Sequence, residues 1–533
     1  MTGADAIVEA LERHGITHCF TNPGTTELPL VEALARAKHT NVVLTLHEGV
    51  ATGAADGFAR VSGHMAWALL HLGPGLSNGA SFLHDARRAR TPLLCVIGEH
   101  ASWHLPFDPP LASDIESLAA PVSVGVVRLS APELIHAELA SAIAMAEERR
   151  GPVVVIAPHD IQCARVSAES AYEGGDKLPN DVPRDAEETD CTALLKELAV
   201  QMDGDVLWLL GGWALDRSVR DGIVGGAIRL GHRVLLEQFP SVMRRGGGSE
   251  PVGKLPYFPD AVLGAVGSPQ LVICVGTRPP VSFFGYEGTP SILLPEKCKV
   301  IEWPDDRGSL DDLVAWLEEF HSGDEIPRDP DVRPKDTLSV EAILRERATA
   351  DPLSISAAIV RAQFEGDVIV DEGRTGLGPY FNLSHEAPSH TYLGHCGGAI
   401  GEGMPLGLGA ALASPGRTVL VIQADGGGLY APQTLWSMAH EGTPVIVVVL
   451  ANDAYRILQM ELARAGADID ETLIGLTALE NPRVDWVQLA KGFGVEATSV
   501  RDGASLVDAI ADARRRGSPA LIEVRMTEPT RKQ

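Results

Sequence analysis

The 533-residue chain has no apolar run long enough to cross a membrane, and its first fifteen residues lack the basic and apolar regions of a secretory signal. Basic residues are scarce, since 44 Lys and Arg stand against 71 Asp and Glu, which gives a net charge of −27. Nucleic acids and anionic membranes bind clustered cations, so this balance argues against both as partners. We expect a soluble, cytoplasmic protein.

Several sequence motifs of cofactor binding are missing or incomplete. The seven cysteines contain no Cys-x-x-Cys pair and are scattered, which is typical of free thiols in a reducing compartment. No Gly-x-Gly-x-x-Gly dinucleotide fingerprint occurs. The stretch Gly248–Leu255 is close to a phosphate-binding loop, but Leu255 replaces the hydroxyl residue that would hold magnesium and Pro251 removes a backbone amide. A nucleoside triphosphate site is therefore not predicted there.

Helix-like and strand-like patterns alternate along most of the chain. This alternation predicts an α/β fold with mainly parallel sheets flanked by helices. Two polar, proline-containing stretches, 167–189 and 324–336, are typical of linkers. We predict three α/β domains, at residues 1–166, 190–325 and 350–533.

Two apolar strands predicted in the third domain each end at a side chain that carries oxygen. Asp425 follows the run 418–422 in a glycine-rich turn, and Asn452 follows the run 445–450. The carboxyl ends of parallel strands form the edge where such sheets bind ligands. A carboxylate and an amide carbonyl suit Mg²⁺, and adjacent glycines let backbone amides approach a phosphate. Taken alone, a strand followed by Asp-Gly is more often only a turn.

The spacing of these two residues resembles the diphosphate-binding signature of thiamine diphosphate enzymes, in which Gly-Asp-Gly is followed 27 residues later by Asn (452 − 425 = 27). The resemblance implies that Asp425, Asn452 and the backbone carbonyl of Ala454 hold Mg²⁺. It also implies a set of cofactor-binding residues in the same segment: Gly426, Gly427 and Tyr455. The corresponding domains of that family are an N-terminal pyrimidine-binding domain, a central domain and a C-terminal diphosphate-binding domain.

The same resemblance assigns cofactor roles outside this segment. Glu48 begins a predicted helix, where an acid is also favoured simply by the helix dipole. In the resembled family a Glu at this point hydrogen-bonds the aminopyrimidine ring and relays the proton that creates the nucleophilic thiazolium carbon, so Glu48 is the predicted catalytic residue. Ile400 matches the apolar wedge between the cofactor rings. Glu372, Arg374 and Thr375 match a loop near the diphosphate, where an Arg is a suitable phosphate partner.

The resemblance is greatest to acetolactate synthase large-subunit-like proteins and benzoylformate decarboxylase, and it guides the prediction of the substrate pocket. His71 matches a histidine of the decarboxylase site, and Thr25 matches a serine that contacts the substrate carboxylate. Phe284 stands where the decarboxylase has a second histidine, so one acid–base group is missing. Ile457 and Leu458 are expected to line the pocket, and a branched residue at 457 favours a small aliphatic 2-oxo acid over a bulky aryl one.

The resemblance implies a thiamine diphosphate- and Mg²⁺-dependent 2-oxo acid decarboxylase, in which an enamine is protonated to give an aldehyde. An acetolactate synthase-type carboligase would instead join the activated aldehyde to a second carbonyl, and the sequence leaves both open. A non-catalytic cofactor-binding homologue is a third alternative, because Phe284 replaces a histidine and the usual Gly, Ser and Asn of the signature are replaced by Ala424, Gly427 and Ala451. The retention of Glu48, Asp425 and Asn452 argues against it. FAD is not expected, although related central domains bind it through loops other than the dinucleotide fingerprint. The family's architecture implies a homodimer or homotetramer with sites between the first domain of one subunit and the third of another.

Overall fold

The computed structural model describes residues 1–166, 191–202, 204–319, 339–468 and 470–527. The two stretches predicted as linkers, 167–189 and 324–336, lie outside the described residues. The chain forms three mainly parallel sheets flanked by helices, which confirms the predicted fold class. Within the described ranges, no helix is both long enough and apolar enough to span a bilayer.

The first sheet consists of six parallel strands from the N-terminal part of the chain. They are β1 (His18–Thr21), β2 (Asn41–Leu44), β3 (Trp67–His71), β4 (Leu93–Glu99), β5 (Gly125–Arg128) and β6 (Pro152–Pro158). The helices are α1 (Gly3–Arg13), α2 (Leu28–Arg36), α3 (Glu48–Ser62), α4 (Leu72–Ala89), α5 (Ile115–Ala119), α6 (Ile135–Arg149) and α7 (His159–Cys163). The strand order is β2-β1-β3-β4-β6-β5, and every residue of β4 and β6 is buried.

The second sheet consists of five parallel strands. Its strands are β7 (Val206–Leu210), β8 (Arg233–Leu236), β10 (Gly253–Lys254), β11 (Leu271–Val275) and β12 (Lys299–Trp303), while β9 (Val242–Arg245) leaves this part of the chain to join the third sheet. The helices are α8 (Thr192–Gln201), α9 (Arg217–Arg229), α10 (Pro259–Val266) and α11 (Arg307–Glu319). The strand order is β10-β8-β7-β11-β12.

The third sheet has seven strands, of which β9 alone is antiparallel to its neighbour. The remaining strands are β13 (Val368–Glu372), β14 (His390–Gly394), β15 (Val419–Ala424), β16 (Val445–Ala451), β17 (Glu496–Val500) and β18 (Ala520–Arg525), in the order β17-β18-β16-β15-β13-β14-β9. The helices are α12 (Val340–Glu346), α13 (Pro352–Ala362), α14 (Tyr380–Leu383), α15 (Gly403–Ala413), α16 (Asp425–Gly428), α17 (Thr434–Glu441), α18 (Arg456–Arg464), α19 (Glu471–Thr477), α20 (Trp486–Gly492) and α21 (Gly503–Arg516).

Helix α3 of the first sheet packs directly against helix α15 of the third. Glycines allow the two backbones to touch: a Cβ at Gly409 would lie 1.9 Å from the carbonyl oxygen of Ala54, and a Cβ at Gly57 would lie 2.0 Å from that of Leu406. A single apolar core runs through this contact. The first and third parts of the chain are therefore held in a tightly defined arrangement.

A buried group of charged side chains lies beside this helix contact. Arg60 forms an ion pair with Asp56, and its Nη2 atom lies 3.8 Å from Oε1 of Glu402. His395 Nε2 lies 2.9 Å from Oδ2 of Asp85. No donor among the described residues meets either carboxylate oxygen of Glu402. Burial, followed by the charge of Asp85, raises the pKa of Glu402 well above its usual value, and the protonated acid can donate to Asp56.

Glu402→Gln is predicted to make the protein more stable at pH 8 and to flatten the dependence of its stability on pH. A raised pKa means that the folded state binds the proton more tightly than the unfolded state. The stability that this tighter proton binding contributes is fully present below the ordinary pKa of a glutamic acid. It is lost as the pH rises towards the pKa of the folded state, by up to about 1.4 kcal/mol per pH unit. Urea unfolding at pH 5 and pH 8 measures the difference. Glu496→Gln, at an exposed position of β17, is the matched control. An equal change in unfolding free energy between pH 5 and pH 8 for both variants and wild type would contradict the raised pKa of Glu402.

Candidate active site

A cavity of about 540 Å³ opens where the second and third sheets meet, and its volume is in the range of cofactor and small-molecule sites. Its wall includes the carboxyl ends of β13, β15 and β16, which are neighbours in the third sheet. The predicted site residues that line it are Glu372, Arg374, Thr375, Ile400, Asp425, Gly426, Gly427, Asn452, Ala454, Tyr455 and Ile457. The structure thus brings together every predicted residue of the third domain except Leu458.

Asp425 and Asn452 supply oxygen atoms at the ends of adjacent strands. The Asp425 carboxylate accepts hydrogen bonds from the backbone N–H groups of Gly426 (2.8 Å) and Asp453 (2.7 Å). Asn452 Oδ1 accepts one from Ala454 N (3.0 Å). Burial raises the pKa of Asp425 to about 6, and no basic side chain in the described ranges forms an ion pair with it. Such a carboxylate, next to an amide oxygen, has the donor chemistry of a site for a hard divalent cation.

The glycine turn of α16 has no room for side chains. A Cβ at Gly426 would lie 2.7 Å from the ring of Tyr455, and a Cβ at Gly427 would lie 2.8 Å from Oε1 of Glu372. The second contact gives a local reason for glycine at 427, where the resembled family usually has Ser. The bare backbone beside two oxygen ligands fits the diphosphate and metal of thiamine diphosphate.

Glu372 positions the loop that carries Ile400. Its side chain is buried, and its two carboxylate oxygens accept hydrogen bonds from the backbone N–H groups of Gly401 and Gly403, both at 2.6 Å. Gly401 has a φ of +100°, which a side chain would disfavour. Because a carboxylate accepts but does not donate, the geometry indicates that Glu372 orders this loop and the start of α15 rather than binding a phosphate.

Arg374 occupies the left-handed region of backbone space, with a φ of +50°, an unfavourable conformation that is common at functional sites. Its guanidinium donates to Nδ1 of His395. The proton of His395 therefore lies on Nε2, which donates to the carbonyl oxygen of Ala399 (2.8 Å) and lies 2.9 Å from Oδ2 of Asp85. Ligand atoms of Asp85, His395 and Glu402 lie within 4.8 Å of one another, but this tautomer leaves no lone pair on Nε2 for a metal.

The predicted first-domain residues lie at the carboxyl edge of the first sheet and do not line the cavity of the same chain. Thr25 follows β1, Glu48 follows β2 at the start of α3, and His71 ends β3. Glu48 is buried, and its Oε2 accepts a hydrogen bond from Asn78 Nδ2 (3.0 Å). Thr25 is exposed. One chain therefore presents two separate halves of the predicted site.

Glu27 is a residue of this edge that sequence reasoning missed. It is fully buried, and its Oε2 lies 2.9 Å from Nδ1 of His71. The backbone N–H of Gly24 donates to the same oxygen (3.0 Å). The acid fixes the orientation of the His71 ring, with Nδ1 as the hydrogen-bond donor. The sequence signal that could have identified Glu27 is an acid in the turn after β1, because β1 is the neighbour of β3, the strand that ends at His71.

On the side of the second sheet, the cavity wall is aromatic. Phe283 lines the cavity whereas Phe284 does not; the two rings lie 4.8 Å apart, with Phe284 half-exposed. Phe283 also packs against Tyr257, with ring centroids 5.2 Å apart. Leu458 is likewise not among the residues that line the cavity. For the aromatic pair, a shift of one residue thus separates the lining ring of Phe283 from the predicted Phe284, whereas Ile457 lines the cavity as predicted.

Two acids, Glu237 and Asp305, lie at the carboxyl edge of the second sheet. Glu237 accepts a hydrogen bond from Gly212 N (3.2 Å), and burial raises its pKa to about 7. Asp305 pairs with Arg90 (3.0 Å) and with Arg150 of the first part of the chain. The acids at this edge are therefore engaged by protein groups.

Comparison with known proteins places this geometry in a family. The N-terminal thiamine pyrophosphate-binding domain of thiamine pyrophosphate enzymes matches residues 1–117, and the C-terminal binding domain matches residues 377–524. Among solved structures, the thiamine diphosphate-dependent 4-hydroxybenzoylformate decarboxylase of Rhodococcus jostii RHA1 shares the fold, with a TM-score of 0.84 at 24% identity over 99% of this chain and 100% of that one.

Two curated relatives match along nearly the whole chain. Benzoylformate decarboxylase of Pseudomonas aeruginosa is 27% identical over 550 aligned residues, covering 97% of this chain and 98% of the relative. A protein of Mycobacterium tuberculosis named "Putative acetolactate synthase large subunit IlvX" is 36% identical over 531 residues, covering 98% of this chain and 99% of the relative. On this similarity and on the cavity geometry, the chain belongs to the thiamine pyrophosphate (thiamine diphosphate) enzyme family.

Proposed function

We propose that this enzyme uses thiamine diphosphate and Mg²⁺ to decarboxylate a small 2-oxo acid to an aldehyde. The observation that carries the proposal is the meeting of Asp425, Asn452 and the bare glycine turn at one cavity edge, beside the loop of Ile400. When bound, thiamine diphosphate supplies a nucleophilic carbon that adds to the 2-oxo carbonyl and accepts the electrons left when CO₂ departs.

The third domain would hold the cofactor. Asp425, Asn452 and the carbonyl of Ala454 would bind Mg²⁺, and the backbone amides at Gly426 and Gly427 would approach phosphate oxygens. Thr375 and Arg374 supply further donors on the same wall. Ile400, on the loop ordered by Glu372, offers the apolar wedge for the cofactor rings, and Tyr455 packs beside the glycine turn.

The first domain of a second copy would hold and move protons. Glu48 would share a proton with a nitrogen of the aminopyrimidine, while Asn78 keeps one carboxylate oxygen hydrogen-bonded. Glu27 occupies Nδ1 of His71, so Nε2 is left to meet the substrate. The hydroxyl of Thr25 would contact the substrate carboxylate.

Exposed apolar side chains support a second copy at this edge. Trp103 and Phe107, which follow β4, are 70% and 76% exposed, and Leu28 and Leu46 beside Thr25 and Glu48 are 54% and 43% exposed. Large exposed apolar groups of this kind mark interaction surfaces. We propose a homodimer, or a homotetramer built from it, with Glu48 of one subunit facing the cavity of the other.

The substrate class follows from the apolar part of the cavity. Ile457 and Phe283 narrow it, which favours a small aliphatic side chain. If the activated aldehyde were joined to a second carbonyl instead of being protonated, the enzyme would be a carboligase. The name of the 36%-identical relative suggests this reaction. Neither reaction passes electrons to a separate acceptor, so the proposal requires no flavin. All seven cysteines are free thiols, which suits a cytoplasmic enzyme.

Product analysis tests the proposed reaction. With cofactor and Mg²⁺, pyruvate or 2-oxobutanoate is predicted to yield CO₂ and the corresponding aldehyde, with kcat/KM about tenfold or more above that for benzoylformate. A 2-hydroxy ketone formed on adding an aldehyde would establish the carboligase instead. Absence of CO₂ from every 2-oxo acid tested would favour the non-catalytic homologue.

Asp425→Ala is predicted to weaken thiamine diphosphate binding by about 100-fold or more, since a metal ligand is lost. Asp425→Asn keeps one oxygen ligand without the charge and is expected to fall between this variant and wild type. Chelation of the metal from wild type should release the cofactor. Calorimetric titration measures all three, and equal affinities would remove Asp425 from the metal site.

Glu48→Gln is predicted to leave cofactor affinity within about tenfold of wild type but to slow exchange of the thiazolium C2 proton by about 10²–10⁴, the usual effect of losing an acid–base group. The glutamine retains size and can hydrogen-bond but cannot relay a proton. Deuterium exchange at C2 of the bound cofactor, quenched in acid and followed by NMR, gives the rate. Exchange as fast as in wild type would show that Glu48 is only a helix-start acid.

Mixing two inactive variants tests the shared site. In a heterodimer of Glu48→Gln and Asp425→Ala chains, one site carries both substitutions and the other carries neither, so about half of wild-type activity should return. If each site came from one chain, every site would carry one defect and no activity would return. Differently tagged chains, co-expressed and purified through both tags, provide the heterodimer, and the two homodimers are the controls.

A further inference from the structure

Lys254, the last residue of β10, lines the cavity although no role has been assigned to it above. Its Nζ lies 4.8 Å from the centre of the Phe381 ring and 5.9 Å from that of Tyr392. In the part of the chain that the structure describes, the ammonium group of Lys254 forms no hydrogen bond and no ion pair. The ammonium group therefore faces two aromatic rings and the cavity.

Two guanidinium groups and one carboxylate act on Lys254. Burial, together with the nearby guanidinium groups of Arg245 and Arg374, lowers the pKa of Lys254, while Asp371 acts in the opposite direction. The carboxylate of Asp371 is already engaged, because it accepts a hydrogen bond from the hydroxyl of Tyr392 (2.7 Å). The acid that lies near Lys254 is thus shared with a competing donor.

An ammonium group that is partly withdrawn from water and has no hydrogen-bond acceptor in the protein is costly, and contact with aromatic rings offsets only part of that cost. A residue needed only to pack on Phe381 and Tyr392 would require no charge. Arg374, on the same wall, donates to His395 with one of its five N–H groups and has others left for a ligand. Two cations with unused donors therefore face one cavity.

We propose that Lys254 and Arg374 form an oxyanion-binding subsite of the cavity, which takes a phosphate or carboxylate group. The inference rests on the proposed function for the source of that anion: either the diphosphate of the cofactor or a second carboxylate on the substrate. Both present oxygen atoms to the same donors. The subsite extends the cofactor cavity to the second sheet, outside the two domains matched by the family comparison.

Calorimetric titration with inorganic diphosphate tests the subsite without cofactor or turnover. Lys254→Met, which keeps the apolar stem, is expected to weaken binding about tenfold or more, the effect of one charge-assisted hydrogen bond. Lys254→Arg should retain affinity. Lys299→Met is the matched control, because Lys299 lies on β12 of the same sheet and pairs with Glu197 at the surface (2.7 Å). Lys254→Gln replaces the Met variant if that one fails to fold.

Two further titrations separate the sources of the anion. Weaker binding of thiamine diphosphate with Mg²⁺ to Lys254→Met, by about tenfold or more, assigns the subsite to the cofactor. Unchanged cofactor affinity, combined with loss of a preference for glutarate over pentanoate in the cofactor-loaded protein, assigns it to a substrate carboxylate. If Lys254→Met binds inorganic diphosphate, thiamine diphosphate and glutarate as wild type does, the proposal is overturned. Failure of wild type to bind thiamine diphosphate would refute the proposed function, and the inorganic diphosphate result would still decide the subsite.

Discussion

The carboxylate of Glu372, held between the amides of Gly401 and Gly403, is the interaction on which the arrangement of the site depends. It joins the carboxyl end of β13 to the start of α15, where a negative charge is also favoured by the helix dipole. The loop so fixed carries Ile400 into the cavity wall, and α15 continues into backbone contact with α3. One buried acid thereby links the cofactor-facing loop to the junction of the first and third parts of the chain.

That junction also explains why the two groups of predicted site residues lie apart in one chain. Glu48 begins α3, and α3 touches α15 at Gly57 and Gly409 without intervening side chains. Close-packed backbones of this kind leave little freedom to reorient. Glu48 therefore stays at the edge of the first sheet, and in the proposed function it reaches a cofactor only in the cavity of a second copy.

The parts of the site that follow from local pattern could be predicted from the sequence. Asp425 and Asn452 come at the ends of continuous apolar runs, and their spacing matches a known signature, so both the strands and their terminal residues were identifiable.

Strand β9 could not be predicted from the sequence, because four residues from the central part of the chain pair antiparallel with a distant strand. The contact of Glu27 with His71 and the position of Lys254 depend on which strands become neighbours. Phe283 and Phe284 show a further limit, since a shift of one residue decides which ring meets the cavity.

Burial disfavours the charged forms of both Glu402 and Lys254. Their surroundings decide whether a proton or a ligand compensates the charge. Glu402 is sealed between the first and third parts of the chain, so no ligand can reach it and a proton shared with Asp56 is the available compensation. Lys254 lines a cavity, so an incoming anion can compensate its charge. Desolvation thus favours the neutral form of Glu402 in the interior. At the cavity wall it favours, in the proposed subsite, the binding of an anion to Lys254. Access to the cavity, rather than burial alone, distinguishes a structural group from a binding one.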